Sequence, residues 1–472
     1  MVVGFGLGMT RISAPSPWTD EIVTMDVAHR TWPQLFTLLG QVDAVHGLHY
    51  LLMHLVGQVA GVSAVTMRLP SALAVAVAAA SLAWVGKLLA GPRLGLAAGL
   101  LLAVMPTASR YGQEARSFAF VMAVAVLATG ALVKILQGGS GPRWLAAYAV
   151  LIALLGWFNV LGLLLAAAHC VTVVVRRPPR RVVVRLLPAL AAGTAAVIPL
   201  LVLGYSQHAA LGDIPPVTSG TPYTFLTWLL TPGQGTLPGS LKLLLTPAAL
   251  LALTVLVIRR RTAPPLALAV GAPWLLVPPL LLLGASLGQP LFAYRYLLFC
   301  LPALALLLAA AGAVLPRPGR VALGLLLAVP FAASHVAIRQ QDSRSWDTSA
   351  VIATVRERAV PGDGVLFSGG RCGLMASAYP EAFAGLEDLG TTRSAAEHGT
   401  LDAVAVDEAL LRRRLTDAPR VWHIDCRYLS ADARRAGART AAVQKRALAG
   451  AGGLSPAFHR AVRGVEITLY RR

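Results

Sequence analysis

Acidic side chains are what this sequence has least of. Its 472 residues include 21 Asp and Glu against 41 Lys and Arg, and 15 of the acids lie beyond Arg339. The first 338 residues hold six: Asp20, Glu21, Asp26, Asp43, Glu114 and Asp213. Charged residues make up 13% of the chain, where a soluble domain carries about 25%. That shortage excludes an ordinary soluble globular protein. With 56% hydrophobic residues and a mean hydropathy of +0.66, the chain reads as a polytopic membrane protein. A formal charge of +20 would suggest nucleic acid in a soluble chain; in a membrane chain it is explained first by Arg-rich cytoplasmic loops, so the bilayer and not nucleic acid is the expected partner. Four cysteines are too few for a disulfide framework. Cys170 and Cys300 lie in apolar runs and read as small core hydrophobes, whereas Cys372 and Cys426 can pair only if the tail faces an oxidising compartment.

Long apolar runs are abundant. They cover residues 67–89, 94–106, 118–136, 144–157, 160–175, 182–203, 241–258, 266–283, 296–315 and 321–338. Residues 1–12 are apolar but shorter than the roughly 20 residues of a spanning helix. They lack the basic start and the Ala-x-Ala site of a signal peptide, and are read as the end of a first span. About eleven transmembrane helices are therefore expected. Residues 31–62 carry three histidines and broken apolar periodicity, and are expected to form helices lying in the interface, within a first outer loop over 13–66. If that loop is outside, alternation puts Lys87, Arg93, Lys134, Arg143, the five arginines of 176–185, Arg259, Arg260, Arg261, Arg317 and Arg320 inside: 14 basic residues against 7 on the other face. This bias predicts a cytoplasmic N-terminus and an extracytoplasmic tail. The same alternation puts all six membrane-part acids, Asp213 included, on the outer side. Residues 204–240 form a long Pro- and Gly-rich outer loop with Tyr223, Phe225 and Trp228 at the spacing of an interfacial helix. After a membrane domain over 1–338, residues 339–472 alternate strand-like runs (364–368, 420–424) with helix-like ones (346–359, 407–415), predicting a soluble α/β domain.

Ionisable groups near membrane depth are costly and are usually functional, so the adjacent pair Asp20-Glu21 is the first candidate for chemistry. Either acid alone would suit a helix N-terminus; capping does not call for two. Glu114 and Arg116 could instead be a structural ion pair, and Arg295 could merely snorkel to the interface. His46, His49 and His54 share a helical face without a Cys or acid at ligand spacing, so no metal site and no cofactor is expected, although a requirement for a divalent ion stays open.

Five motifs then occur in order: Trp18-Thr19-Asp20-Glu21, His46-Gly47-Leu48-His49-Tyr50, Arg68-Leu69-Pro70-Ser71-Ala72, Tyr111-Gly112-Gln113-Glu114-Ala115-Arg116-Ser117 and Tyr294-Arg295-Tyr296. Together they resemble the integral-membrane GT-C glycosyltransferases, nearest to family 39 with its protein mannosyltransferases, aminoarabinose transferases and actinobacterial mannosyltransferase group. Where many members carry His-Pro-Pro-Leu-Tyr, this chain has His46-Gly47-Leu48-His49-Tyr50. The resemblance covers about residues 1–338 and implies transfer of a sugar, with a lean to mannose, from a polyprenyl-phosphate donor to an acceptor hydroxyl at the outer face with inversion. The acceptor could be a protein, a lipid or a polysaccharide. It further implies Asp20 as general base, Glu21 as a group orienting hydroxyls, and Arg295 as the clamp for the lipid phosphate. Asp43, His46, His49, Tyr50, Arg68, Tyr111, Gln113, Glu114, Arg116 and Tyr296 are the substrate-binding candidates. Asp20 and Arg295 should share one outward cavity about 6–12 Å apart, with Glu21 and Glu114 at its rim. The competing reading is a polytopic lipid or solute transporter or flippase; against it, the sequence shows no internal repeat and its polar candidates gather at one face.

Overall fold

The computed structural model describes residues 1–138, 141–207, 214–232, 239–369, 371–427 and 431–472, with side chains omitted at 239–243 and 431–439. Asp213 and part of the 204–240 loop lie outside the described residues.

The chain enters through a short helix, α1 (Val2–Met9). Pro17 and Trp18 hold the next stretch extended, and α2 (Thr19–His29) opens with Asp20 and Glu21 in its first turn, where acids are favoured by the exposed amide dipoles. A capping box of Thr31 with Gln34 starts α3 (Trp32–Gln41), and α4 (Gly47–Ala60) follows a 3-10 turn over Ala44–His46. A second capping box, Ser63 with Thr66, starts α5 (Ala64–Ala90). Next come α6 (Pro92–Val104), α7 (Pro106–Gly112) and α8 (Phe118–Leu136). Glycine lets α5 and α6 touch backbone to backbone: a Cβ on Gly95 would lie 2.3 Å from the Ala83 carbonyl oxygen. Small-residue contacts of this kind are how helices associate where lipid removes the hydrophobic drive.

Among the described residues, six helices are long and apolar enough to cross a membrane: Ala64–Ala90, Phe118–Leu136, Arg180–Ser206, Pro265–Ala285, Tyr294–Val314 and Arg317–Ala337. The pair α6 and α7, bent by 59° at Pro106, makes a seventh if it is one broken span. The protein is thus a multi-pass membrane protein. The remaining apolar helices, Pro142–Phe158, Val160–Arg176 and Leu244–Ile258, are too short to meet the same criterion, so length and composition do not reach the expected count of about eleven. Helices α3 and α4 are not spans, and α4 buries His49, Tyr50, Met53 and His54 on one face. Cys300 is buried as expected, while Cys170 lies exposed.

Past the last span, a five-stranded mixed sheet forms in the order β2-β1-β5-β7-β6, with β1 (Gly364–Ser368), β2 (Glu387–Asp388), β5 (Arg420–Cys426), β6 (Ser455–Val462) and β7 (Val465–Arg471). Strands β3 (Thr391–Arg393) and β4 (Val404–Ala405) pair separately. In the main sheet β1 runs parallel to β2 and β5, and β5, β7 and β6 are antiparallel. Alternation along the strands gives the sheet two apolar faces. Leu366 and Val421 face a small core with Leu411 and Leu415. Val365, Trp422 and Ile424 belong to another core, shared with Val351 and Ile352, with Cys372 and Met375, and with Ile22, Val23 and Met25 of α2 and Tyr50 and Met53 of α4. Cys372 and Cys426 form a disulfide with a Cα separation of 5.7 Å. The helix that begins with the acidic pair is therefore packed into the tail domain as well as against the membrane helices.

Candidate active site

The segment leading to Asp20 has almost no side chains able to hold it, so four distant residues hold its backbone. Arg68, fully buried in the first turns of α5, donates to Ile12 O (2.7 Å) and Pro15 O (2.8 Å). Its remaining donors meet both Glu21 oxygens at 2.7 Å. Gln113 Nε2 donates to Gly8 O and Thr10 O, and Arg339 to Leu7 O and Thr10 O. The Ser16 amide reaches Gln341 O at 2.9 Å.

Glu21 also accepts from the Ala115 amide at 3.1 Å. Burial would raise its carboxyl, but the charge and hydrogen bonds of Arg68, helped by Arg344 and Ala115, hold it below the usual carboxylate range. At 1% exposed and with both oxygens engaged, Glu21 braces the site from behind. It does not line a rim where it could orient hydroxyls. Glu114 is likewise fully buried and paired with Arg110, away from any rim.

Asp20 differs from its neighbour. Successive helix residues point about 100° apart, and the Asp20 side chain is 21% exposed. Among the described residues its carboxylate makes no hydrogen bond; the nearest cation is Arg116 Nε at 3.8 Å. Arg116 Nη2 lies 3.2 Å from His46 Nε2, so that nitrogen accepts and His46 is neutral. Burial, then the Arg116 charge, takes the His46 pKa down to about 4. Tyr50 donates to Asp43 Oδ2 at 2.9 Å, and Asp43 holds a left-handed φ of 60°, a conformation that costs a non-glycine residue energy and clusters at functional sites. His49 Nε2 sits 3.2 Å from Ala115 O. Of the charged groups acting on Arg295, Asp20 acts most strongly. The Arg295 guanidinium lies 5.5 Å over the Tyr296 ring and makes no hydrogen bond or ion pair among the described residues.

The sequence candidates thus divide. Asp20, Asp43, His46, Tyr50, Arg116 and Arg295 form one electrostatic cluster, with Tyr296 against Arg295. Glu21, Arg68, Gln113, Glu114 and His49 are buried and hold that cluster's walls. Tyr111 joins an aromatic group with Phe118 and Trp228, continued by Phe225 and Tyr294. Three arginines escaped the sequence reading. Arg110 pairs with Glu114; Arg344 is buried with Nη2 3.4 Å from Gln113 O; Arg371 acts on Asp43. Arg344 follows the last span and Arg371 adjoins Cys372, but no local pattern ties either to residues more than about 200 positions earlier. Among the described residues no three His, Cys, Asp or Glu are grouped to hold a metal ion.

The whole architecture aligns with the crystal structure of ArnT from Cupriavidus metallidurans, at a TM-score of 0.61 and 12% identity, over 99% of this chain and 96% of that one. The chain has the GT-C fold. ArnT bound to undecaprenyl phosphate aligns equally, at a TM-score of 0.60. The arabinofuranosyltransferase AftD from Mycobacteria matches at 0.51 and 18% identity, over all of this chain but 39% of that one. No protein-family profile matches the sequence, and no curated protein does. At these identities the likeness establishes the GT-C fold; the chemistry has to be argued from the residues above.

The bracing role of Arg68 is open to a direct check. Arg68→Ala leaves Glu21 buried and unpaired and frees residues 12–15, which is expected to destabilise the protein by about 3–5 kcal/mol. Thermal unfolding of the detergent-purified protein measures this; a melting point equal to the wild type's contradicts it.

Proposed function

We propose that the protein is a membrane glycosyltransferase that moves a sugar from a polyprenyl-phosphate donor to an acceptor hydroxyl, inverting the anomeric carbon. The observation that carries this is the division of the carboxylates. Among the described residues Glu21, Asp43 and Glu114 each have a close partner, whereas the Asp20 carboxylate accepts no hydrogen bond, is partly exposed, and meets Arg116 only at 3.8 Å, with Arg295 the second guanidinium nearby. Asp20 takes the proton of the acceptor hydroxyl as that oxygen attacks the anomeric carbon. The bond from carbon to phosphate oxygen breaks, and its electron pair leaves with the polyprenyl phosphate. A base so placed contributes typically about 10²–10⁴-fold. Phosphate leaves without a general acid; it needs charge stabilisation, which Arg295 supplies with a fork suited to phosphate oxygens. Arg295 stands at the start of the span Tyr294–Val314, a position from which it can meet a lipid-borne phosphate while the prenyl chain stays in the bilayer. The bound ligand of the ArnT complex supports the lipid carrier by analogy of fold alone.

Mannose is the sugar to which the sequence resemblance leans. Neither a prosthetic group nor a redox cofactor enters this chemistry. The site and the tail domain are placed on the extracytoplasmic side, with the N-terminus cytoplasmic. The basic bias supports this orientation, and so does the Cys372–Cys426 disulfide, which persists where the compartment is oxidising.

Asp20→Asn keeps the shape and removes the base. Turnover of polyprenyl-phosphate sugars by the purified protein should fall at least about a hundredfold with donor binding retained. Arg295→Ala should weaken donor binding along with rate, since the phosphate is charged in ground and transition states alike. Near-normal transfer by Asp20→Asn sinks the assignment of the base. For orientation, single cysteines placed at Arg259 and at Thr391 should differ, only the second reacting with an impermeant reagent from outside; labelling at Arg259 contradicts the topology.

A further inference from the structure

The tail domain does more than rest on the membrane domain. Ser377 donates to Asp26 Oδ1 of α2, and Arg30 Nη2 donates to Thr400 O at 2.8 Å. Cys372 and Met375 share one buried core with Ile22 of α2 and with Tyr50 and Met53 of α4. The turn that carries Cys372 is fastened at its other side, through the disulfide, to the end of β5. This fixed turn begins with Arg371, whose side chain is partly exposed.

Arg371 makes no hydrogen bond and no ion pair among the described residues, although its charge reaches the Asp43 carboxylate and the Tyr50 hydroxyl. Other arginines in this region behave differently. Arg30 closes on Asp26 at 2.8 Å and Arg68 on Glu21 at 2.7 Å. Were Arg371 there to neutralise Asp43, it would close in the same way; instead Asp43 Oδ2 takes the Tyr50 hydroxyl. Among the described residues two guanidinium forks at the cluster therefore make no hydrogen bond or ion pair: Arg295, delivered by a membrane span, and Arg371, delivered by the extramembrane domain. A polyprenyl-phosphate sugar brings one phosphate, and it brings it from the bilayer. The second fork, supplied by the extramembrane domain and partly exposed, is left for a different anion.

We propose that Arg371 binds an anionic group, phosphate or carboxylate, on the acceptor, so that this transferase selects negatively charged acceptors. The anion is a handle for recognition, and the attacking group remains a hydroxyl at Asp20. The inference rests on the transferase reading above, and deepens it by naming the acceptor's charge.

The test uses the full-length purified chain with polyprenyl-phosphate mannose and three oligomannoside acceptors: one uncharged, one carrying a phosphate monoester, one carrying a uronate. The wild type should prefer a charged acceptor by about tenfold or more in kcat/KM, the scale of one charge-assisted forked contact. Which of the two it prefers identifies the anion. Arg371→Gln should abolish the preference, and Arg371→Lys should restore part of it, with affinity for polyprenyl phosphate unchanged in both. Because Arg371 is partly exposed and unpartnered, both variants should melt with the wild type. A parallel arm needs no turnover: binding of inorganic phosphate to the donor-loaded protein should be lost in Arg371→Gln. Equal use of neutral and charged acceptors, a preference that survives Arg371→Gln, or an equal loss of donor affinity in that variant overturns the proposal. Failure of the wild type to consume the donor with any acceptor overturns the transferase reading itself, and phosphate binding that is the same with and without Arg371 then removes the anion site too.

Discussion

The buried ion pair between Arg68 and Glu21 is the contact on which the site depends. A guanidinium and a carboxylate removed from water are costly unless every donor and acceptor is satisfied, and here the surplus donors of Arg68 are spent on the carbonyl groups of residues 12 and 15. One side chain of α5 thereby fixes the strand that precedes α2, the first turn of α2 and, through Glu21 and the Ala115 amide, the loop that carries Arg116. The two acids are adjacent in sequence but rotated about 100° on the helix. Anchoring Glu21 inward leaves Asp20 turned towards Arg116. Immobilising one carboxylate is how the fold aims the other.

That aim also depends on the last third of the chain. Helix α2 packs against α4 and against the Leu374–Ala378 helix of the tail domain, in one buried core that also takes in Trp422 and Ile424 of β5. It is tied to that domain at Ser16, Asp26 and Arg30. A side chain positioned in this way moves little, since displacing its helix would disturb a close-packed core. The tail then acts as a wall of the site, with a disulfide fastening the turn that bears Arg371.

How much of this was legible in the sequence depends on the range of the interaction. Apolar runs are local, so most of the expected spans match helices to within a few residues: 67–89 became Ala64–Ala90 and 118–136 became Phe118–Leu136. Counts were harder, because runs such as 144–157 and 160–175 are apolar enough but short of the bilayer's thickness. Asp20, Arg116 and Arg295 could be singled out because charge is scarce near membrane. Their division of labour could not: nothing in the string Asp20-Glu21 says which acid meets Arg68, and the sequence offers Arg116 as the ion-pair partner of Glu114 where the structure pairs it with Arg110. Arg344 and Arg371 were invisible for a different reason. Both sit in a charged stretch where arginine is common, and their significance comes only from tertiary placement, Arg344 beside Gln113 and Arg371 within reach of the Asp43 charge.

The central claim is that the acceptor hydroxyl displaces the phosphate in one step, with the Asp20 carboxylate taking its proton. The most direct measurement is the anomeric configuration of the first product formed from a polyprenyl-phosphate sugar of known configuration, read by nuclear magnetic resonance. Inversion is the outcome this account predicts, with Asp20 deprotonating the acceptor while the phosphate departs from the other side of the sugar. Retention would require a covalent glycosyl intermediate or attack from the face that the phosphate leaves, and would contradict the account.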